Sequence, residues 1–238
     1  MVRARRVLAV IPARGGSKRI PQKNIVDFLG KPMLAWTVEA ALQSGCFDRV
    51  LVSTDDQSIA EVGRQAGAEV PFLRAAAVDD HAHVSEATLL ALGQAEEYWQ
   101  VTYDLVVQLM PNCPLRDAKA INKAVDSFIR GDRDFQISCF AYGWSNPWWA
   151  NTLLADGSPR PKFPEAGQSR SQDLPELYCP TGAIWIARVP AFRNAGTFYG
   201  PGYKFEPMPI WAAADIDEPD DLTLARVLAA GRAAIGTI

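Results

Sequence analysis

Residues 7–24, VLAVIPARGGSKRIPQKN, decide the fold of this 238-residue chain. The run at 7–11 is continuous and apolar and is ended by Pro12, which is typical of a central strand buried on both faces. Gly15 and Gly16 follow the strand, and glycines at such a point let the backbone approach a ligand and present N–H groups to it. The pattern therefore predicts a ligand-binding loop at the carboxyl edge of an open α/β sheet.

This loop is basic, although the chain carries a formal net charge of −3. Its cations are Arg14, Lys18, Arg19 and Lys23. A nucleoside triphosphate is strongly anionic, and transfer of its α-phosphoryl group spreads charge onto the leaving pyrophosphate, so clustered cations suit that step. Neither the GxxxxGK[ST] nor the GxGxxG spacing is present. The alternative, a solvated basic turn, leaves the Gly-Gly pair unexplained.

Beyond the loop, helical and strand patterns alternate, which predicts one α/β domain over residues 1–238 with a mostly parallel sheet covered on both faces. The predicted helices run from Pro32 to Gly45, from the capping residues Asp55 and Asp56 to Gly67, and over 85–99, 117–130 and 217–230. The further predicted strands are 50–54, 69–73, 105–109, 182–187 and 207–211.

Residues 142–178 have a different texture, rich in Trp, Pro, Gly, Ser and Asn. Asp156-Gly157 lies between short apolar pieces and predicts a hairpin. Exposed tryptophans (Trp144, Trp148, Trp149) are unusual on a monomer surface. We therefore expect an inserted arm that packs on a second subunit of a homodimer. An active-site lid is the alternative.

The composition excludes several classes of function. The net charge offers no global basic field for nucleic acid. No stretch reaches the roughly 20 apolar residues of a membrane span, and the run at 7–11 is too short for a signal peptide. Four widely spaced cysteines indicate reduced thiols. His81 and His83 make a weak zinc site and are expected on the surface. A cytoplasmic protein is the expectation.

Several motifs together resemble one family. They are IPARGGSKRIPQKN at 11–24, LGKPMLAWTVEAA at 29–41, VLVSTDD at 50–56, QLMPNCPLR at 108–116, SRSQDLPELYCPTGAIWI at 169–186 and ADIDEPDDL at 214–222. The combination resembles the acylneuraminate cytidylyltransferases, the CMP-sialic acid synthetases, and the first third also resembles the related pseudaminic acid cytidylyltransferases. The resemblance implies a Rossmann-like, three-layer, GT-A-like nucleotidyltransferase fold. It also implies a reaction of CTP with a nine-carbon nonulosonic acid that gives a CMP-sugar and pyrophosphate.

An acidic pair near the C-terminus is the candidate metal site. Asp215 and Asp217 flank Ile216 at the end of a predicted strand, where residues i and i+2 point to the same side. Magnesium prefers a few carboxylates completed by water and phosphate. The alternative is that Asp217 only caps the helix that begins near Pro219. The resemblance implies that both aspartates bind Mg²⁺, with Mn²⁺ as a possible substitute. We therefore expect the acidic pair and the basic loop to converge on one triphosphate.

The resemblance also implies individual roles for other residues. The phosphate loop would bind the triphosphate and ribose through Arg14, Gly15, Gly16, Ser17, Lys18, Lys23 and Asn24. Arg74 and Ser85 would lie near the cytosine, and Gln108 near the sugar. Arg170 would bind the sugar carboxylate through its planar fork, or alternatively bond the partner subunit. The implied catalytic residues are Arg14, Lys23, Asp215, Asp217 and Arg170.

The departures from the family pattern all lie on the sugar side. Cys179 and Thr181 stand where sialic acid synthetases have Arg and Asn, Asn112 and Cys113 replace Thr and Ser, and an aromatic side chain, Trp149, stands in place of a basic one. The reaction is therefore better specified than the sugar. Open alternatives are a pseudaminic, legionaminic or Kdo cytidylyltransferase, a nucleotide-binding regulatory protein without turnover, and a sugar-donor glycosyltransferase.

Overall fold

The computed structural model describes residues 5–75, 83–167 and 169–236. His81 lies outside these residues. None of the helices in the described ranges combines the length and the apolar character that crossing a membrane requires.

Within the described ranges, ten strands form one large sheet and two small hairpins. The strands are β1 (Val7–Pro12), β2 (Asp27–Phe28), β3 (Lys31–Pro32), β4 (Arg49–Ser53), β5 (Leu105–Gln108), β6 (Phe135–Ala141), β7 (Asn151–Leu153), β8 (Pro159–Pro161), β9 (Tyr178–Arg188) and β10 (Lys204–Pro207). The six-stranded sheet has the order β10-β6-β9-β5-β1-β4. Only β9 runs antiparallel to its neighbours in this sheet, so the prediction of a mostly parallel α/β sheet is confirmed.

The part of the chain that the structure describes also forms six α-helices around the sheet. They are α1 (Met33–Ser44), α2 (Gln57–Gln65), α3 (Val84–Trp99), α4 (Ala118–Arg130), α5 (Val189–Ala195) and α6 (Pro219–Ala234). The predicted boundaries of the first helices hold for physical reasons. Gly45 ends α1 in the left-handed conformation, and the Asp56 carboxylate accepts hydrogen bonds from the first backbone N–H groups of α2.

The central strand β1 divides the core into two layers. Val7, Ala9 and Ile11 face one side, which is covered by α1, α2 and α4, whereas Leu8 and Val10 face the other, covered by α3 and α5. Strand alternation therefore places apolar side chains on both faces, as the continuous apolar run predicted.

A third apolar cluster connects the two ends of the chain. Ile20 of the phosphate loop (residues 14–24) and Phe28, just after it, pack with Ile216 and with Ala225 and Ala229 of α6. These side chains are all buried. The cluster therefore holds the acidic segment (residues 215–217) beside the basic loop. The two are far apart in the chain: Arg19 and Glu218, for example, are separated by 199 residues.

Residues 142–177 leave the large sheet. The predicted turn at Asp156-Gly157 joins β7 and β8, which pair antiparallel. Trp144 is 92% exposed and Trp149 is also exposed. Trp148, in contrast, packs edge-on against Phe163 and donates its indole N–H to the Pro175 carbonyl, so the expectation of an exposed side chain was wrong for this residue.

Three predicted strands need correction. Residues 69–73 contribute only a single bridge, between Glu69 and Leu51. The strand predicted at 207–211 was placed too late in the chain, because the observed strand, β10, covers Lys204–Pro207. After it, Pro209 begins a turn, and the Ala212 N–H closes this turn by donating to the Pro209 carbonyl. Residues 214–217 have no regular secondary structure, so the acidic pair is not on a strand.

Candidate active site

A cleft opens at the carboxyl edge of β1, β4 and β5, where ligands bind in open α/β sheets. It has a volume of about 210 Å³. Its walls come from five parts of the chain: Pro12, Arg14, Ser17, Lys18, Arg19, Ile20, Lys23 and Asn24; Arg74; Val84 and Ala87; Met110, Pro111 and Asn112; and Asp217.

The basic loop and the acidic segment meet in this cleft. Lys23 Nζ lies 2.6 Å from Asp217 Oδ1, and Arg19 Nη2 lies 3.3 Å from Asp217 Oδ2. A second ion pair joins Arg19 Nη1 to Glu218 Oε1 at 2.8 Å. The structure therefore brings together the two segments that the sequence analysis expected to share one ligand.

The aspartates converge without a strand. The amide nitrogen of Asn112 donates a hydrogen bond to Asp215 Oδ1 and another, 3.3 Å long, to Asp217 Oδ1. The backbone N–H groups of Asp217 and Glu218 donate to the Asp221 carboxylate, which closes a capping box at the start of α6. Side-chain hydrogen bonds, and not strand alternation, aim both carboxylates at one point.

The two carboxylates have opposite pKa shifts. Desolvation by the surrounding protein, followed by the negative charge of Asp217, raises the pKa of Asp215 to about 6, although the residue as a whole is exposed. Burial alone would raise the pKa of Asp217 as well, but its hydrogen bonds and ion pairs with Lys23 and Arg19 lower it below the ordinary value. Among the described residues, Lys23 and Arg19 form ion pairs with Asp217 and act on Asp215 only through longer-range attraction.

A divalent cation fits this donor set. No group of three or more His, Cys, Asp or Glu side chains forms a metal site in the described ranges. A metal here would therefore be held by Asp215 and Asp217, with water and phosphate oxygens in its other positions. Mg²⁺ commonly binds in this way, with one or two carboxylates.

The first glycine of the loop, Gly15, has a different role from the one expected. The Gly15 N–H donates to Asp55 Oδ1 at 3.0 Å and is therefore not directed at the cleft. A Cβ atom on Gly15 would lie 2.8 Å from Asp56 Oδ2, so glycine is needed here for close approach to the 55–56 turn. Around Gly16 there is open space, with no atom within 4 Å of such a Cβ.

The other loop residues line the cleft as expected, with one change of role. Arg14, Ser17 and Lys18 are on its wall. Asn24 is buried and donates its amide to the Arg14 carbonyl at 2.9 Å. Asn24 thus holds the backbone at Arg14 in place. Because it is largely buried, it forms only a small part of the cleft wall.

Arg74 is a buried cation on the opposite wall. Its guanidinium donates to the carbonyl and hydroxyl oxygens of Ser53 at 3.0 and 3.1 Å. Burial lowers the pKa of Arg74, and the nearby Asp55 carboxylate opposes this effect. Its Nε–H is buried and has no partner within the described residues.

A second cavity of about 300 Å³ adjoins the cleft through Val84. It is lined by His83, Val84, Ser85, Trp185, Gly196, Thr197 and Tyr199. Ser85, expected near the base, lies in this cavity and accepts a 3.4 Å hydrogen bond from the Phe198 N–H. The aromatic lining residues Trp185 and Tyr199 were not predicted from the sequence. The aromatic residues clustered at 198–205, directly after Gly196 and Thr197, were the pattern that could have indicated this surface.

Two predicted sugar-side residues do not line the cleft. Gln108 is 0% exposed, and its side-chain carbonyl accepts a 2.6 Å hydrogen bond from Thr88 on α3. Met110, two residues further on, is on the cleft wall instead. Arg170 lies on the exposed arm and makes a bidentate ion pair with Asp173, with distances of 2.8 and 3.2 Å.

Comparison with known proteins places these features in context. A family model described as Cytidylyltransferase matches residues 8–140. The chain is 36% identical over 223 residues to a pseudaminic acid cytidylyltransferase of Campylobacter jejuni, covering 93% of this chain and 95% of that protein. It is 34% identical over 235 residues to a CMP-N,N'-diacetyllegionaminic acid synthase of Legionella pneumophila, covering 94% and 96%. A solved CMP:2-keto-3-deoxy-manno-octonic acid synthetase complexed with CTP shares the fold, with a TM-score of 0.69, 18% identity and coverage of 95% and 99%.

Proposed function

The chain belongs to the cytidylyltransferase family, and we propose that this nucleotidyltransferase joins CMP from CTP to an acidic nine-carbon sugar with release of pyrophosphate. The membership agrees with the resemblance seen in the sequence. The observation that carries the proposal is the contact between Lys23 of the phosphate loop and Asp217 of the acidic segment within one cleft.

Each wall of the cleft would act on a different part of the reaction. Arg14, Lys18 and Lys23 would bind the triphosphate and stabilise the charge that develops on the leaving pyrophosphate. Arg74, with its remaining buried N–H, and Ser85 would lie towards the nucleoside. The anomeric hydroxyl of the sugar would attack the α-phosphorus in line, so the bond to the β-phosphate oxygen breaks as the new ester bond forms.

Asp215 and Asp217 would hold Mg²⁺, or Mn²⁺ in its place, beside the α-phosphate. When bound, the cation supplies charge neutralisation and Lewis-acid activation of coordinated oxygens. Asp215 must be deprotonated for this role. Although its pKa is raised to about 6, Asp215 is still mostly ionised at neutral pH.

The sugar would enter from the side of the second cavity. Trp185 and Tyr199 give this cavity an aromatic surface, and the Ser85 and Thr197 side chains supply hydroxyl groups. Such a surface suits an N-acyl group, which has an apolar methyl and a hydrogen-bonding amide. Both relatives described above act on named nonulosonic acids of the pseudaminic and legionaminic type. We therefore favour a sugar of that type over sialic acid.

The arm would complete the sugar side by forming a homodimer. Its exposed apolar side chains, Trp144, Leu153 and Leu154 among them, support this. The dimer would bring Arg170 to the carboxylate of a sugar bound to the same or the partner subunit. The four cysteines, all within the described residues, are unpaired, which supports a reducing compartment, the cytoplasm.

Measurement of pyrophosphate release tests the proposal. The purified chain is incubated with Mg²⁺, each of the four ribonucleoside triphosphates, and a panel containing pseudaminic, legionaminic, sialic and Kdo acids. We expect release with CTP and with pseudaminic or legionaminic acid. Binding of CTP without release in any combination would instead support a regulatory nucleotide-binding protein.

A further inference from the structure

Asn112 lies between the two carboxylates of the acidic segment. Its side-chain nitrogen contacts Asp215 Oδ1, Asp217 Oδ1 at 3.3 Å and the Ile216 carbonyl at 3.2 Å. In the opposite direction, the Ile216 N–H donates to the Asn112 carbonyl at 2.9 Å. Asn112, in the loop that follows β5, is thus hydrogen-bonded to each of the three residues 215–217.

Backbone hydrogen bonds to the central sheet fix the residues that precede Asn112. The Leu109 N–H donates to Val10 on β1, and the Met110 N–H donates to Gly182 on β9. Asn112 is 3% exposed. The amide is therefore held by the central sheet, whereas the acidic segment that it contacts has no regular secondary structure.

The amide group is oriented by its surroundings. Its nitrogen faces three oxygen atoms, so exchanging the amide oxygen and nitrogen would place four acceptors together. Its oxygen is buried and has no partner among the described residues. Because an unpartnered buried oxygen is unfavourable for folding, stability alone does not account for asparagine at this position.

We propose that Asn112 is a positioning residue that holds Asp215 and Asp217 together as a divalent-cation site. This inference rests on the proposed function for the identity of the bound cation. Two like charges aimed at one point repel each other, and the amide N–H groups offset that repulsion before the cation binds. A threonine at this position could donate to only one acceptor. The asparagine thus gives this chain a more ordered pair of carboxylates.

Mn²⁺ titration followed by electron paramagnetic resonance tests the proposal on the full chain without nucleotide. Changes to groups that orient metal ligands typically weaken metal affinity about 10–100-fold. We expect a weakening in this range for Asn112→Ala and a smaller one for Asn112→Thr. The same order is expected for the Mg²⁺ concentration that half-saturates pyrophosphate release, with most of kcat recovered at high Mg²⁺.

Asn122→Ala is the matched control, because the Asn122 amide bonds the Cys46 thiol, away from the cleft. It should leave Mn²⁺ affinity unchanged. A folded Asn112→Ala protein whose Mn²⁺ affinity stays within about twofold of wild type, well short of the expected loss, would overturn the proposal. Wild-type protein that binds no Mn²⁺ would overturn it as well. If Asn112→Ala fails to fold, Asn112→Thr decides by the same criterion.

The two hypotheses fail in different ways. Normal Mn²⁺ binding by wild type, weakened in the Asn112 variants, supports the positioning role even if no sugar gives pyrophosphate, and in that case only the proposed function fails. Pyrophosphate release by wild type with unaltered Mn²⁺ affinity in both variants removes only the role of Asn112.

Discussion

The phosphate side of the molecule and the arm are built in different ways. On the phosphate side, the loop at 14–24, Asn112 and the segment 215–217 are joined by buried hydrogen bonds, ion pairs and a shared apolar cluster. The arm at 142–177 has a hairpin whose strands are fully exposed, and its internal contacts are local. The phosphate side is thus joined by contacts between distant parts of the chain, whereas the arm exposes apolar side chains that we propose a partner covers.

This difference separates two kinds of expected effect. Substitutions on the phosphate side should impair the chemical step and leave association unchanged. Substitutions on the arm should alter sugar affinity or subunit association and leave CTP binding unchanged.

Asp217→Asn should have the largest effect, a loss of kcat of at least about 100-fold. The charge stabilisation supplied by a bound metal is worth several kcal/mol, and about 1.4 kcal/mol corresponds to a tenfold change in rate. Steady-state pyrophosphate release at saturating CTP and sugar measures it, with circular dichroism to show an intact fold. Asp220→Asn, at an exposed position in the first turn of α6, is the control and should retain wild-type kcat. Equal turnover of the two variants would remove Asp217 from the metal site.

Arg170→Lys should raise the KM for the sugar about 10-fold or more and leave the KM for CTP unchanged. A lysine cannot reproduce the two parallel hydrogen bonds of a guanidinium to a carboxylate. Arg160→Lys on β8 is the control for a cation elsewhere on the arm. A change in the KM for CTP alone would place Arg170 on the nucleotide side and contradict the assignment of the arm to the sugar.

Trp144→Ala should weaken dimerisation by about 10-fold or more in Kd, since large aromatic side chains dominate interface energies. Sedimentation equilibrium over a range of protein concentrations measures it. Leu224→Ala, another exposed apolar side chain but on α6, is the control. If wild type is a monomer at all concentrations, the arm is better explained as an active-site lid.

Asp215→Asn should raise the Tm of the metal-free protein by a few degrees at pH 8 and by less at pH 5. The pKa of Asp215 is raised to about 6 in the folded state. The folded state thus favours the protonated form of Asp215, and this group contributes stability at pH values below its ordinary pKa. That contribution is lost as pH rises through about 6. An asparagine cannot ionise and avoids that loss. Thermal melts in EDTA measure it, with the exposed Asp132→Asn as control; an equal gain at both pH values would contradict the assignment.

The sequence predicted the parts of the fold that depend on local pattern. The strand at 7–11, the Gly45 stop and the Asp56 cap follow from burial periodicity and capping chemistry, and the structure has them. The strand predicted at 207–211 failed because the prolines at 207 and 209 direct the chain into a turn.

The site was predictable where residue type alone determines the role. Lys23 and Asp217 are charged, and their convergence was expected. The roles of Gly15 and Gln108 were not predictable, because each depends on a distant partner, Asp55 and Thr88 respectively. The contribution of Asn112 depends in the same way on a segment about one hundred residues later in the chain (Asp215 is 103 residues away).

Anomalous diffraction from crystals grown with Mn²⁺ and CTP tests the central claim most directly, because it locates the cation and the triphosphate in one experiment. The account predicts a manganese peak between Asp215 and Asp217 that also contacts the α-phosphate, with the other phosphates against Arg14 and Lys18. Triphosphate bound elsewhere, or manganese remote from both aspartates, would contradict it.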